Sequence, residues 1–226
     1  MRHVQCYVLH KLQRLNWRVG VMEASEAGTL AELQEVLGEC TRCPLHKGRT
    51  KIVFGMGDEN ADLIFVGEAP GRAEDAQGLP FVGPAGRLLD ELLMGIGLRR
   101  EQVYIANVVK CRPPGNRDPL PNEMDSCKPF LLGQIRIIRP KILCALGRVA
   151  ASVILERNVQ MNKVHGQRFP APGYFFVPVF HPAAALRTPS TRGVLVEDFN
   201  RLKEYLEQDE QPPGPHAPEP EQIGLF

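Results

Sequence analysis

The fold is indicated by an apolar segment that runs directly into a turn of small residues, Asp62-Leu63-Ile64-Phe65-Val66-Gly67-Glu68-Ala69-Pro70-Gly71. A short apolar run closed by glycine is typical of a strand covered on both faces in a parallel sheet. The same pattern recurs at residues 103–106, 141–146 and 175–180. Helical patterns lie between and after these segments, at residues 87–96, 122–138, 147–155 and 191–206. The alternation predicts an α/β fold, a three-layer α/β/α sandwich with a four-stranded, mainly parallel sheet. Pro178, inside the last strand, predicts an edge position.

Composition divides the chain into three parts. Residues 1–28 form a basic extension. Thr29 is the N-cap expected for a helix that ends at Gly38, so we place the folded domain at residues 29–206. Residues 207–226 are acidic and rich in proline, which predicts a disordered tail. The tail ends in an apolar peptide, Gln222–Phe226.

Charge and hydropathy exclude some classes of protein. Hydrophobic residues make up 43% and charged residues 23% of the chain, which is ordinary globular composition. No apolar run approaches the roughly 18 residues that cross a bilayer, and the N-terminus lacks a secretory signal. We therefore expect a cytoplasmic protein with no membrane association. Five of the 26 acidic residues lie in the tail, so residues 1–206 hold 21 acidic and all 27 basic side chains, a balance that allows a polyanionic partner.

Polar side chains follow three of the four strands. Glu68 follows the first, Asn107 the second and His181 the fourth. Ligands of open α/β sheets bind at the carboxyl ends of the strands, so these side chains should meet in one crevice. The amide of Asn107 can both donate and accept, as reading a nucleobase edge requires. Taken singly, each residue could instead cap its own turn.

The cysteines raise the question of a metal site. Cys40 and Cys43 form a CxxC, and Cys111 and Cys127 follow. A reducing compartment disfavours disulfides, so ligation is the leading interpretation. Four thiolates suit either zinc or an iron–sulfur cluster, and spacing does not separate the two. Cys144, in a predicted strand, is expected to be inert core.

These segments together resemble the family 4 uracil-DNA glycosylases, the iron–sulfur branch of the uracil-DNA glycosylase superfamily, over about residues 37–206. The resemblance rests on an ordered set of motifs: Cys40-Thr41-Arg42-Cys43-Pro44-Leu45, Gly67-Glu68-Ala69-Pro70-Gly71, Gly78-Leu79-Pro80-Phe81-Val82-Gly83, Asn107-Val108-Val109-Lys110-Cys111-Arg112-Pro113-Pro114, Cys127 and His181-Pro182.

The resemblance implies a DNA repair enzyme that flips uracil out of single- or double-stranded DNA and hydrolyses the N-glycosidic bond, releasing uracil and leaving an abasic site. It implies that Phe81 stacks on the base, that Asn107 pairs with its edge and that Glu74 excludes the thymine methyl. The uracil-binding residues it implies are Gly67, Ala69, Glu74, Phe81, Asn107 and His181. Phe81 could instead be core filler, and Glu74 with Asp75 a solvated acidic pair.

The implied catalytic residues are Glu68 and His181, with His181 stabilising the departing uracil anion. Ala69 stands where other uracil glycosylases have a water-activating Asp, so Glu68 is either a general base or an electrostatic stabiliser. Contacts to DNA are implied for a loop carrying Leu186, as a wedge, and Arg187, and expected for Arg112 and Arg117. Leu186 could instead pack on the last helix.

For the cysteines, the resemblance implies that Cys40, Cys43, Cys111 and Cys127 hold a [4Fe–4S] cluster with a structural role; zinc is the alternative. Gln222–Phe226 resembles the peptide that binds the bacterial sliding clamp, on a tether that would keep a monomeric, nucleoid-associated enzyme near DNA. Three other interpretations are weaker: a superfamily relative acting on other deaminated bases or binding uracil covalently, a non-catalytic iron–sulfur nucleic-acid-binding protein or electron carrier, and a nucleotide-binding protein using Gly55-Met56-Gly57.

Overall fold

The structure, a computed structural model, describes residues 23–214. At its centre is a mixed six-stranded sheet in the order β1-β3-β2-β4-β6-β5. Its strands are β1 Met56–Gly57, β2 Leu63–Gly67, β3 Tyr104–Asn107, β4 Ile142–Leu146, β5 Phe169–Ala171 and β6 Tyr174–Val179. Strands β3, β2, β4 and β6 are parallel, as predicted, while β1 and β5 pair antiparallel at the two edges. Two- and three-residue strands carry too little periodicity to be found in a sequence.

The helices lie on both faces of this sheet. They are α1 Leu30–Leu37, α2 Arg72–Gln77, α3 Pro84–Gly95, α4 Pro121–Ile138, α5 Arg148–Ile154, α6 Met161–Val164, α7 Pro182–Arg187 and α8 Pro189–Glu207. Thr29 caps α1 as expected: its side chain accepts from the Glu32 N–H, and the Glu32 carboxylate accepts from the Thr29 N–H. None of the helices within residues 23–214 is long and apolar enough to cross a bilayer.

Alternation along the strands divides the core into two layers. Ile64 and Val66 pack among residues of α1, α4, α5 and α6. Leu63 and Phe65 face the opposite way, among residues of α3, α7 and α8. On that side the rings of Phe65 and Phe199 stack with centroids 5.6 Å apart. The three-layer α/β/α arrangement is therefore confirmed.

The edge position predicted from Pro178 is wrong, since β6 lies between β4 and β5. Strand β5 pairs only with residues 174–176 and has ended before Pro178. There the Pro178 carbonyl accepts from the Gly166 N–H at 2.8 Å. Nitrogen and oxygen of one strand residue point to the same side, so the proline nitrogen also faces away from β4. The missing N–H costs the β4–β6 ladder nothing.

The first part of the predicted tail lies against the domain. After α8, the Nζ of Lys141 donates to the Gln208 carbonyl, Arg168 pairs with Glu210, and the Gly173 N–H donates to the Pro213 carbonyl at 3.0 Å. Lys141 and Gly173 immediately precede β4 and β6, so this segment sits at the amino-terminal edge of the sheet. Most of the predicted basic extension, up to residue 22, and the peptide Gln222–Phe226 lie outside the described residues.

Candidate active site

A cavity of about 950 Å³ opens at the edge where the parallel strands end. Glu68 follows β2, Asn107 ends β3 and His181 follows β6, and all three line this cavity. The strand order thus brings Glu68 and His181 to the same cavity, although they are 113 positions apart in the chain. Of the other residues implied by the resemblance, Ala69, Glu74, Phe81, Arg117, Leu186 and Arg187 also line the cavity, whereas Gly67 and Arg112 are not among its lining residues.

Asn107 presents an unpaired polar atom in this cavity. The residue is 2% exposed, and within the described residues its Oδ1 has no hydrogen-bond partner. A buried acceptor without a donor costs about 1–3 kcal/mol, so such an atom points to a ligand that supplies the donor. Gly67 stands behind it: a Cβ there would lie 2.4 Å from this oxygen and 2.7 Å from the Phe81 ring. The missing side chain of Gly67 lets the amide and the ring approach each other.

Phe81 is held in a turn with a positive φ of 52°, unusual for a bulky residue. Its ring is buried yet lines the cavity, and its centroid lies 5.7 Å from that of His181. Arg100 donates to the carbonyls of Pro80 (2.9 Å) and Phe81 (2.6 Å), and its Nε donates to Asp90 at 2.8 Å. The ring is therefore both part of the core and an accessible stacking surface. Arg100 was missed from the sequence because no motif marks it.

Glu74 and Asp75 are not a solvated acidic pair. The Glu74 carboxylate accepts from the N–H groups of Val82 (3.0 Å) and Gly83 (2.8 Å), and so braces the Phe81 turn. Asp75 is buried and accepts from the Thr50 N–H at 2.8 Å. Glu74 still lines the cavity, so its predicted role beside the base stays a prediction.

His181 has the protonation state of a neutral donor. Its Nδ1 accepts from the Ala183 N–H at 3.1 Å, which leaves the ring proton on Nε2. Burial and, to a smaller extent, the charge of Arg187 lower the pKa of His181 to about 4, against the opposing effect of Glu74. The imidazole therefore stays uncharged near neutral pH and offers one N–H.

The pKa of Glu68 is shifted in the opposite direction, upward. Burial and the charge of Asp118 raise the pKa of Glu68 to about 7, against the opposing effect of Arg148. Asp118 and Arg148 both line the cavity and lie 3.8 Å apart. No sequence signal marks these two residues, which come from the loop after β3 and from the start of α5.

The predicted DNA-contact residues differ in their surroundings. Leu186 is 51% exposed at the rim of the cavity, so it is not packed into the core. The segment that carries it is a helix, α7, rather than the expected loop, because Pro182 opens it and three alanines follow. Arg117 already makes two hydrogen bonds, of 2.8 and 2.7 Å, to the buried Glu123, and Arg112 donates to Asn116. The roles of these arginines on DNA stay predictions.

Cys40, Cys43, Cys111 and Cys127 line a second, much smaller cavity together with Arg49 and Lys110. Burial raises the pKa of Cys127 to about 11 and also raises that of Cys111. Arg49 donates to Cys111 Sγ at 3.6 Å, and the Lys110 N–H donates to Cys127 Sγ at 3.3 Å. Cys144 is buried in β4, away from this group.

The donor set suits a thiolate-bound metal group. Four thiols surround one cavity, and two of the sulfurs accept N–H hydrogen bonds. Four thiolates suit either zinc or an iron–sulfur cluster. Within residues 23–214, no three His, Cys, Asp or Glu side chains are grouped closely enough to hold a metal ion.

Comparison with known proteins gives a consistent result. A model of the uracil DNA glycosylase superfamily matches residues 54–207. The chain is 46% identical to the type-4 uracil-DNA glycosylase of Thermotoga maritima over 189 residues, which are 80% of this chain and 98% of that protein. It is 43% identical to the type-4 enzyme of Archaeoglobus fulgidus, over 78% of this chain and 92% of that protein. The type-4 enzyme of Saccharolobus solfataricus is 46% identical, over 74% and 82%.

Replacing Arg100 tests how the Phe81 turn is held. Arg100→Met should lower the free energy of unfolding by about 2–3 kcal/mol, because two buried carbonyls lose a charged donor. Urea denaturation measures this. The neighbouring Arg99, whose side chain is 75% exposed, gives the matched control Arg99→Met, with an expected change within about 0.5 kcal/mol. Equal urea midpoints for the two variants would contradict the assignment.

Proposed function

The chain belongs to the uracil DNA glycosylase superfamily, and on this premise we propose that it acts as a type-4 uracil-DNA glycosylase, which hydrolyses the N-glycosidic bond of deoxyuridine in DNA. The observation that carries the proposal is the buried Asn107 Oδ1, which has no hydrogen-bond partner among residues 23–214 and lies beside the Phe81 ring. This oxygen can accept a hydrogen bond from a planar ligand that carries an N–H group at its edge.

Uracil supplies hydrogen-bond partners for the Asn107 amide. Its N3–H donates to Oδ1, and its O4 accepts from the Asn107 amino group. Cytosine has an acceptor at N3 and an amino group at C4, so both hydrogen bonds are reversed and the buried amide would be left unpaired. Sites built on such bonds reject the wrong base strongly. Phe81 supplies the stacking face for a base taken out of the helix.

Cleavage places positive charge on the sugar and negative charge on uracil, and water then adds to C1′. We assign the neutral His181 to the uracil O2, where its Nε2–H stabilises the departing anion. We assign ionised Glu68 to the other side of the bond, where it stabilises the cationic sugar or accepts a proton from the attacking water. The alanine at position 69 leaves no closer carboxylate on this loop.

We also propose that Cys40, Cys43, Cys111 and Cys127 hold a [4Fe–4S] cluster. When bound, it would cross-link the segment after α1 to the loop after β3 and to α4. We propose a structural role because hydrolysis needs no electron transfer. The chain's own contribution is to bury the sulfurs and to donate hydrogen bonds to them from Arg49 and from the Lys110 N–H.

For partners, we propose uracil-containing single- and double-stranded DNA, with Leu186 filling the space left by the base and Arg187 on phosphate. We also propose that the enzyme is a monomer and acts at the nucleoid, where its DNA substrate lies. We also propose that Gln222–Phe226 binds a sliding clamp. In support, residues 208–214 leave the domain at the edge opposite the cavity, so that a clamp and DNA would not compete.

The uracil assay tests the main proposal. Protein incubated with single- and double-stranded oligonucleotides carrying one uracil should create alkali-labile abasic sites, and an oligonucleotide with cytosine at that position should stay intact. Asn107→Ala should lower the single-turnover rate by about 100-fold or more, because an interaction of several kcal/mol is lost in a dry site. Asn60→Ala removes an exposed amide outside the cavity and is the control, which should leave the rate unchanged. A wild-type protein that releases no uracil from either oligonucleotide would contradict the proposal.

Glu68 should set the pH dependence. With its pKa near 7, the single-turnover rate should rise as the pH passes about 7 and the carboxylate ionises, while His181 stays neutral throughout. Glu68→Gln should flatten this rise and lower the plateau by about 10- to 100-fold. Because Asp118 raises the Glu68 pKa, Asp118→Asn should move the rise to lower pH. A Glu68→Gln variant with the wild-type rate and profile would exclude any role for this charge.

Iron and sulfide analysis tests the cluster. Protein purified without oxygen should contain about four iron and four sulfide per chain and absorb broadly near 400 nm, as thiolate-bound clusters do. Cys144→Ala, in the core but not at the cavity, should leave the iron content unchanged. Stoichiometric zinc with no sulfide would overturn the assignment.

Deleting residues 222–226 tests the clamp proposal. The full chain should be captured by immobilised bacterial sliding clamp, and the shortened chain should not, while both cleave uracil at the same rate. Equal capture of the two chains would contradict it.

A further inference from the structure

A fully buried lysine lies between the cysteine cavity and Asn107. Lys110 has no exposed surface. Its Nζ donates to the Asn107 carbonyl at 2.9 Å and to Gln134 Oε1 at 2.6 Å. Its backbone N–H donates to Cys127 Sγ at 3.3 Å, and the next residue is Cys111. One residue therefore contacts both the base-recognition strand and the sulfur site.

The side chain of Gln134, on α4, is oriented by hydrogen bonds from its amino group. Its amino group donates to the Phe54 carbonyl (2.8 Å) and to the Tyr104 hydroxyl (3.1 Å). With both donors engaged, Oε1 must face Lys110. Gly55 leaves room for the hydroxyl, since a Cβ there would lie 2.7 Å from the Tyr104 oxygen. Gln134 thus holds the lysine amine in one position.

The Asn107 side chain depends on this support. Within residues 23–214 its Oδ1 accepts no hydrogen bond, so the amide is placed by packing against Gly67 and Phe81 and by its own backbone. That backbone is held on one side by the pairing of β3 with Gly67. The Asn107 carbonyl, at the very end of the strand, is held by Lys110. A shift of this peptide would move the amide away from the edge of the base.

A purely structural role explains the lysine poorly. Within residues 23–214, no carboxylate bonds to its Nζ. The Phe54 ring centroid lies 6.0 Å from Nζ, and a thiolate at Cys127 would supply a charge of opposite sign. Burying an amine without a carboxylate costs free energy that a methionine of similar length would not. Retention of the amine is better explained by what its two hydrogen bonds position.

We propose that Lys110 and Gln134 are positioning residues for uracil recognition, which fix Asn107 and tie its placement to the four-cysteine site. The inference rests on the proposed function and goes beyond it. Neither side chain lines the uracil cavity, so both act through Asn107. By reciprocity, a ligand on Asn107 also stabilises the sulfur site.

The test compares Lys110→Met and Gln134→Met with Lys141→Met, all as full-length protein with its cluster. Lys141 is a matched control because its Nζ also makes two hydrogen bonds, here to the backbone carbonyls of Leu206 and Gln208, but at the opposite edge of the sheet. The readout is inhibition of uracil excision by free uracil, together with the iron content. We expect the inhibition constant to rise about tenfold or more in the first two variants, which corresponds to the loss of one to two hydrogen bonds. In Lys141→Met the constant should stay unchanged.

A merely structural role would lower thermal stability or the active fraction without moving this constant. An unchanged inhibition constant in Gln134→Met would overturn the inference, and this variant alone decides if Lys110→Met does not fold. A wild-type protein that releases no uracil would instead overturn the proposed function.

The coupling to the sulfur site has its own readout. Free uracil should slow the loss of absorbance near 400 nm when a chelator is added to the wild-type protein, by about threefold or more, and have little effect in Gln134→Met. Equal rates of loss with and without uracil in the wild type would overturn the coupling.

Discussion

The site depends on the close approach of Asn107 and Phe81 across Gly67. Any side chain at position 67 would overlap both the amide oxygen and the ring. Because β2 and β3 pair in parallel, Gly67 and Asn107 are register partners at the ends of their strands. The amide is thereby placed in a buried position where its oxygen has no hydrogen-bond partner in the described part of the chain. Hydrogen bonds to a ligand are strongest in such a position.

Around this point, the cavity walls are held by charged side chains that bond to backbone or to each other. Glu74 and Arg100 hold the Phe81 turn, and Arg117 with the buried Glu123 holds the loop after β3. Without these hydrogen bonds, the Phe81 turn and the loop after β3 would have unpaired backbone polar groups and would be more mobile. Fixing them in advance means that little reorganisation is left for the moment when charge develops on the sugar and on uracil.

The pKa values of Glu68 and His181, the two residues that we assign to catalysis, are shifted in opposite directions by the same cause. Burial disfavours the charged form of each, so Glu68 titrates near neutrality and His181 stays uncharged. An enzyme that must keep one neutral donor and one carboxylate near a breaking bond obtains both states at the same pH in this way.

The sequence by itself determined the parallel core, because four apolar segments separated by helices have few other solutions, and the order of motifs around Glu68, Asn107, His181 and the four cysteines indicated the family. Tertiary structure alone decided the rest. The edge strands β1 and β5 are too short to leave a pattern, and Pro178 is tolerated in the interior strand β6 because β5 ends before reaching it. The supports of the site, Arg100, Asp118, Arg148 and Gln134, have no local signature, since what they do depends on partners brought near only by folding. Hydrophobic periodicity is a property of neighbours in sequence; a buried hydrogen bond is a property of neighbours in space.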